Sequence, residues 1–399
     1  MPAEADREAW ITGIGIVSCL GEGPDAHWQR LMEARPAADA TSFAPFVVHP
    51  IAPIAFDKQI PKKGDQRQME PWQRIGTYAA GLALDDARLK GDAGLLARTD
   101  MIVAAGGGER DLNADQAILT GLGKAADPAG FLNERLMSDL RPTLFLAQLS
   151  NLLAGNISIV HGVTGSSRTF MGEESSGVDA VRIAVARIVA GQSDLALVGG
   201  SHNCERKDML MLYALGGYVL KGDYRPVWER GGSPGFAAGS LGAFLVIEER
   251  RHAEARNARP IARLSTIASG RADRRQAGSV ADALRAMWQP LGPRLEAGRV
   301  AVISGATGAE PATAEERAFL AEHPDLPVRA TGSHVGHGLE PQFAMNIALA
   351  ALAVSRGMLF PPCDGSGIER TMEGPLTQAV VTSVGHWRGE GMALVEAIR

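Results

Sequence analysis

His334 and His337 stand three residues apart, and Glu340 follows at the same interval. That spacing suits a metal ion, but no further cysteine or carboxylate clusters nearby, so the reading is that no metal is held there. Cys19, Cys204 and Cys363 are too few and too scattered for a disulfide framework or a zinc site, and their odd number fits a reducing compartment. Gly13-x-Gly15-x-x-Ser18 follows a strand-like run but lacks the third glycine of a dinucleotide turn and the acidic residue that holds a ribose, so it reads as a tight strand-to-helix turn. Gly231-Gly-Ser233-Pro-Gly235 matches the esterase nucleophile elbow only formally. It precedes a strand and puts Pro234 directly after the serine, which argues for a surface turn.

The elements that must position any such groups alternate between strand and helix. Strands are expected at Ala9–Val17, Met101–Ala105, Ile157–Val160, Thr169–Met171, Leu195–Val198, Ala243–Glu248, Ile261–Ile267, Val300–Ser304, Val380–Ser383 and Met392–Glu396. Helical spacing of apolar residues predicts helices at Pro24–Ala34, Trp72–Leu89, Pro142–Ala154, Ser176–Ala190, Val280–Leu291, Ala314–Ala321 and Phe343–Val354. The span 36–68 reads as irregular surface and Arg251–Arg259 as a connection or the end of a hairpin. The result is an α/β chain of two parts, 1–250 and 251–399.

Composition narrows the function classes. Forty basic against 45 acidic residues give a net charge of −5, which offers nothing to a polyanion, so nucleic acid is not expected as a partner. The opening MPAEADREAW is acidic and polar rather than signal-like, and no apolar run reaches the roughly 20 residues of a membrane helix. A cytoplasmic protein without membrane insertion is expected.

Several segments, in order, resemble the β-ketoacyl-[acyl carrier protein] synthase family. They are Ile11–Ser18 with Leu20-Gly21, Asn156–Ile159 with Gly162 and Gly165, Gly191–Asp194 through Gly199-Gly200, Arg225-Pro226 with Phe236 and Gly239–Glu248, and Gly336-His337 before an apolar helix. The resemblance covers essentially the whole chain. It implies a thiolase-like five-layered α/β/α/β/α fold with two similar halves, no cofactor, and dimerisation through the strand before residue 174.

That family loads acyl chains on a cysteine at a buried helix N-terminus, where dipole and backbone N–H groups favour thiolate and oxyanion. Counting back from Gly199-Gly200 places that position on Glu174, within Thr169–Ser176. The family's first histidine falls on Ser304, its lysine on Gly332, and its second histidine on His337; its Gly-Phe-Gly-Gly gate reads Gly385-His386-Trp387-Arg388. Some relatives carry a glutamine at the nucleophile position, in decarboxylating loading modules or chain-length factors. An ionised Glu174 would instead repel a malonyl carboxylate, by about 4 kcal/mol at ~4 Å with an effective dielectric near 20. As a helix cap alone it contributes roughly 0.5–2 kcal/mol.

The resemblance thus implies a catalytically degenerate, chain-length-factor-like subunit unable to condense acyl chains alone. Its partners would be an acyl carrier protein and an active synthase in a heterodimer, or a second copy in a homodimer. Gly108, Glu109, Phe170 and His386 are expected to line the acyl tunnel. The alternative is a decarboxylase or acyltransferase using Glu174 and His337.

Overall fold

The computed structural model describes residues 7–140, 144 and 148–398. Ten strands build its sheet: β1 (Ala9–Ser18), β2 (Asp100–Ala104), β3 (Ser167–Phe170), β4 (Leu195–His202), β5 (Leu241–Glu249), β6 (Ala262–Gly270), β7 (Val300–Ser304), β8 (Val328–Ala330), β9 (Gln378–Val384) and β10 (Glu390–Glu396). The short Gly21–Glu22 strand folds back on β1. Strand order is β3-β2-β4-β5-β1 in the first half and β8-β7-β9-β10-β6 in the second. In each half the fifth strand runs antiparallel to both neighbours and the others pair in parallel. The halves meet where β1 pairs β6 through Trp10↔Arg263 and Ile11↔Ala262. Two five-stranded units of the same topology stand side by side.

The helices that bear on the site are α1 (Pro71–Asp86), α2 (Leu152–His161), α3 (Glu174–Val189), α4 (Lys207–Leu215), α5 (Ser279–Trp288), α6 (Ala312–Ala321) and α7 (Gln342–Arg356). Helix α3 buries Val178, Val181, Ala184, Val185 and Ile188, and α7 is buried along nearly its whole length. A helix apolar all round belongs inside a protein. Both sit in one core with residues of β1, β5, β7 and β9. Helices α1 and α2 cover the other face of the first half, and α5 and α6 that of the second. The layers are therefore helix, sheet, helix, sheet, helix, as the resemblance implied.

Four expectations do not hold, the first being that 36–68 is irregular surface, since it pairs Val48–His49 with Ala238–Gly239, forms a helix at Lys63–Gln68 and buries Val47, Val48 and Ile60. Ile157–Val160 is not a strand but part of α2, which buries Leu153, Ala154, Ile157 and His161 at helical spacing and ends on left-handed Gly162 (φ 75°). A short β-branched run does not by itself distinguish strand from buried helix. Gly13 and Gly15 lie within β1 rather than in a turn. A Cβ on Gly15 would stand 2.0 Å from the Ala79 carbonyl, and one on Gly13 2.5 Å from that of Ala83. The glycines let α1 pack directly on the strand. Arg250–Ala255 forms a short helix where a connection or the end of a hairpin was expected.

Of the helix predicted at Pro142–Ala154, positions 142, 143 and 145–147 lie outside the described residues, 148–151 are not helical, and Leu152–Ala154 open α2. Helices at Leu112–Leu122, Pro128–Asp139 and α4 were not anticipated. The Gly231–Gly235 segment is a turn, closed by the Ser233 N–H donating to the Arg230 carbonyl.

Candidate functional site at the mouth of a central helix

Helix α3 starts from a sharp bend. After β3, Gly172 takes φ 136° and Glu173 takes φ 57°, a left-handed conformation that a side-chain-bearing residue adopts only at a cost. The bend aims Glu174, first residue of α3 and 2% exposed, inward between the two halves. One turn later Gly177 brings α3 against the loop before α7, since a Cβ there would lie 2.2 Å from the Glu340 carbonyl.

That loop carries His337. Its backbone is fixed by the His337 N–H on the Ala237 carbonyl and the Gly239 N–H on the His337 carbonyl, with Gly336 left-handed at φ 71°. From the other side comes the loop joining β9 to β10. Left-handed Gly389 (φ 87°) seats this loop on Ser175, where a Cβ would meet the serine's own at 2.5 Å. The same loop delivers His386.

Three donors converge on Glu174 Oε1. His337 Nε2–H and His386 Nδ1–H each donate at 2.7 Å, and the His386 backbone N–H donates at 3.1 Å. An ionised carboxylate only accepts, so both ring nitrogens facing it carry protons. Glu174 Oε2 is buried without a hydrogen-bond partner among the described residues. Burial pushes the Glu174 carboxyl up, but the His386 charge and the two imidazole hydrogen bonds outweigh it and hold the group well below the usual carboxylate range. Burial pushes His386 down, yet the Glu174 charge and hydrogen bond raise it above an ordinary histidine. His337 goes the other way, lowered by burial despite the bond from Glu174. The arrangement is a buried carboxylate held by two imidazoles, of which His386 is shifted toward its charged form and His337 away from it.

A second carboxylate completes the cluster. Glu173 accepts from the Tyr213 hydroxyl at 3.2 Å and lies 3.9 Å from His386 Nε2; burial raises its pKa. Tyr213, Tyr218 and Phe236 pack edge-on around the His386 ring, and Phe236 lies 5.0 Å from the His337 ring. Next to this cluster a cavity of about 370 Å³ is lined by Trp72, Gly106–Gly108, Arg110, His202, Arg206, Tyr213 and Glu340. Gly108 thus faces the cavity, and Glu109 accepts from Asn203 Nδ2 at 3.1 Å with its pKa raised by burial.

Other candidates lie apart. Phe170 ends β3, half-buried against the central core. Ser304 sits in a separate buried polar group, where it and Thr382 donate to Glu316 Oε1 at 2.9 and 2.5 Å. His334 is fully buried, edge-on to Phe360, and neither ring nitrogen has a partner among the described residues. It does not share a site with His337.

Nor do the thiols approach Glu174. Cys19 faces His49 and the His334 carbonyl, Cys204 pairs with Ser240 and the His49 carbonyl, and the Cys363 backbone bonds Glu369. Burial pushes all three thiols up to about 12, far from a reactive thiolate. The sequence reading brought Glu174 and His337 to one helix mouth and treated His386 as a tunnel residue. Its pairing with Glu174 has no local sequence signal, being separated by 212 positions.

Residues 6–253 match the family described as beta-ketoacyl synthase, N-terminal domain. The chain is 26% identical to 3-oxoacyl-[acyl-carrier-protein] synthase 2 of Vibrio harveyi, over 65% of this chain and 61% of that protein. It is also 26% identical to the tetracenomycin polyketide synthase ketoacyl synthase beta subunit of Streptomyces glaucescens, over 96% of this chain and 95% of that one. The chain spans about three fifths of the length of the first curated relatives it matches. Among solved structures, the ishigamide ketosynthase/chain length factor superposes with a TM-score of 0.79 at 19% identity, covering 99% of this chain and 100% of that one.

Proposed function

Because the chain belongs to the β-ketoacyl synthase family, we propose that it is a catalytically degenerate, chain-length-factor-like subunit that pairs with an active synthase during fatty acid or polyketide elongation on an acyl carrier protein. In this reading Glu174 stands where the family's nucleophilic cysteine stands, Ser304 stands for its first histidine, and residues 1–250 and 251–399 are its two thiolase-like halves. One observation carries the reading: Glu174 takes the ring N–H groups of both His337 and His386. Donors that would have to stabilise an enolate or a malonyl carboxylate are already committed to the chain's own charge. A second anion brought there meets a fixed carboxylate, and no thiol is at hand to hold an acyl group.

The surface supports a partner. Strand β3 ends the sheet with Ser167 exposed. Ile159, Met171, Met211, Leu212 and Leu215 are exposed apolar residues around this edge and on α4, the helix that supplies Tyr213 to the cluster. Exposed apolar groups gathered near an open strand edge mark an interaction surface. The cavity lined by Gly108 and Tyr213, with Glu109 bonded to its lining residue Asn203, would shape the acyl tunnel across that interface.

Co-expression with a catalytically complete β-ketoacyl synthase of the same organism tests the proposal. The expected outcome is a stable heterodimer by size-exclusion chromatography, with product length altered by substitutions at Gly108 or Phe170. A stable, inert homodimer whose presence leaves product length unchanged contradicts it. The alternative, a decarboxylase or acyltransferase using Glu174 and His337, draws on the same pair of imidazoles. Carbon dioxide release from malonyl carrier protein that disappears in Glu174→Ala would favour it.

A further inference from the structure

We propose that Glu174, His337 and His386 form a binding site for one divalent transition-metal ion of the zinc class. The inference concerns the same three side chains under a different occupant, an ion that would take the place of the hydrogen bonds now committing both imidazoles to Glu174. They come from three separate elements: the start of α3, the loop before α7 and the loop between β9 and β10. All three are at most 3% exposed. One ligand atom from each lies within 4.8 Å of the others, the only such group of three or more histidine, cysteine or carboxylate side chains among the described residues.

Two further observations point to a ligand. Glu174 Oε2 is buried and has no hydrogen-bond partner among the described residues, so Oε1 takes three donors while its twin takes none of them. A bound cation gives that idle oxygen a partner. The far nitrogen of His386 faces Glu173 Oε1 at 3.9 Å, and Glu173 is itself held by the Tyr213 hydroxyl. A carboxylate behind a histidine is the outer-shell arrangement that orients imidazole ligands and raises their basicity.

The chemistry of the donors sets the class of ion. Two imidazoles and one carboxylate suit zinc, cobalt, nickel or ferrous iron, whereas magnesium and calcium prefer oxygen throughout. Three protein ligands leave one tetrahedral position for water or a partner group. On binding, each imidazole presents its facing nitrogen unprotonated, keeping one proton on its far nitrogen and releasing any second one to solvent, and the 2.7 Å hydrogen bonds open to let the ion sit between the three atoms.

The test uses the full chain after treatment with a chelator. Cobalt(II) is titrated in and the visible absorption of tetrahedral Co²⁺ is followed. Zinc then displaces it, and calorimetry counts sites. The expected result is one ion per chain, a zinc-dependent rise in Tm, and affinity about 10–100-fold weaker in Glu173→Gln. His386→Ala should abolish the Co²⁺ spectrum. Because His386→Ala risks misfolding, Glu173→Gln and the zinc-dependent Tm of the unaltered chain carry the test without it. Absence of stoichiometric binding, or binding that His337→Ala and His386→Ala leave unchanged in folded protein, overturns the proposal. Failure to bind an ion overturns the metal site alone, while the subunit reading is tested separately by co-expression.

Discussion

Glu174 owes its ionisation to His386, which lies 212 residues away in the chain. A carboxylate buried among aromatics would ordinarily protonate, and here the pull of His386 and the hydrogen bonds of two imidazoles prevent it. Removing one member of a buried ion pair leaves the other uncompensated. Glu174→Ala is therefore expected to lose about 3–5 kcal/mol of stability in urea denaturation, and Glu174→Gln less, because the amide keeps an acceptor. Glu316 is the opposite case. Fully buried and facing only the Ser304 and Thr382 hydroxyls, it is raised by burial from 4.5 to about 7.

The folded chain therefore holds a proton on Glu316 that the unfolded chain releases between those two values, and stability attributable to this group falls as pH rises through that window. The stability of Glu316→Gln relative to the unaltered chain should climb by about 3 kcal/mol between pH 4 and pH 8. A pH-independent difference would show that Glu316 is ionised in the fold. At this scale the sequence displayed Glu174 and His337 but not their third member. Nothing local marks a histidine in a Gly-His-Trp-Arg turn as the partner of a helix some two hundred positions upstream.

Elements were legible where the period was long and clean. Helices α3 and α7 and the strands β1, β5 and β7 follow directly from apolar spacing, and β7 matches the predicted bounds residue for residue. Failures came where a short run carried two meanings, as at Ile157–Val160, or where glycine answered to packing rather than to a turn. Gly15 is the sharper case, because its significance lies in α1, which the local sequence cannot reveal. Gly15→Ala would drive a methyl group to 2.0 Å from the Ala79 carbonyl. The expected cost is about 3 kcal/mol or more, read as a lowered denaturation midpoint. Near-wild-type stability would mean that α1 stands further from β1 than the structure has it. Helix α4 escaped the reading because its exposed Met211, Leu212 and Leu215 break the pattern of a helix packed on its own core.

Across the whole molecule, the repeated strand order puts the first residue of α3 and the two histidine loops at the seam between two like halves, where neither half could build the cluster alone. The resemblance made this architecture foreseeable; hydropathy alone gave only alternating elements. The same layout leaves β3 at one end of the sheet, next to exposed Met171. Replacing Met171 and Leu215 together with glutamate should weaken association with a partner synthase by more than tenfold, on the order of 1.4 kcal/mol, while leaving the circular dichroism spectrum intact. Unchanged association would place the partner elsewhere.

Whether a covalent acyl group can reside on this chain decides the matter. The purified chain, mixed with acyl- or malonyl-carrying carrier protein and weighed intact by mass spectrometry, is expected to show no acyl adduct. A mass gain mapped to Cys19, Cys204 or Cys363 would contradict it.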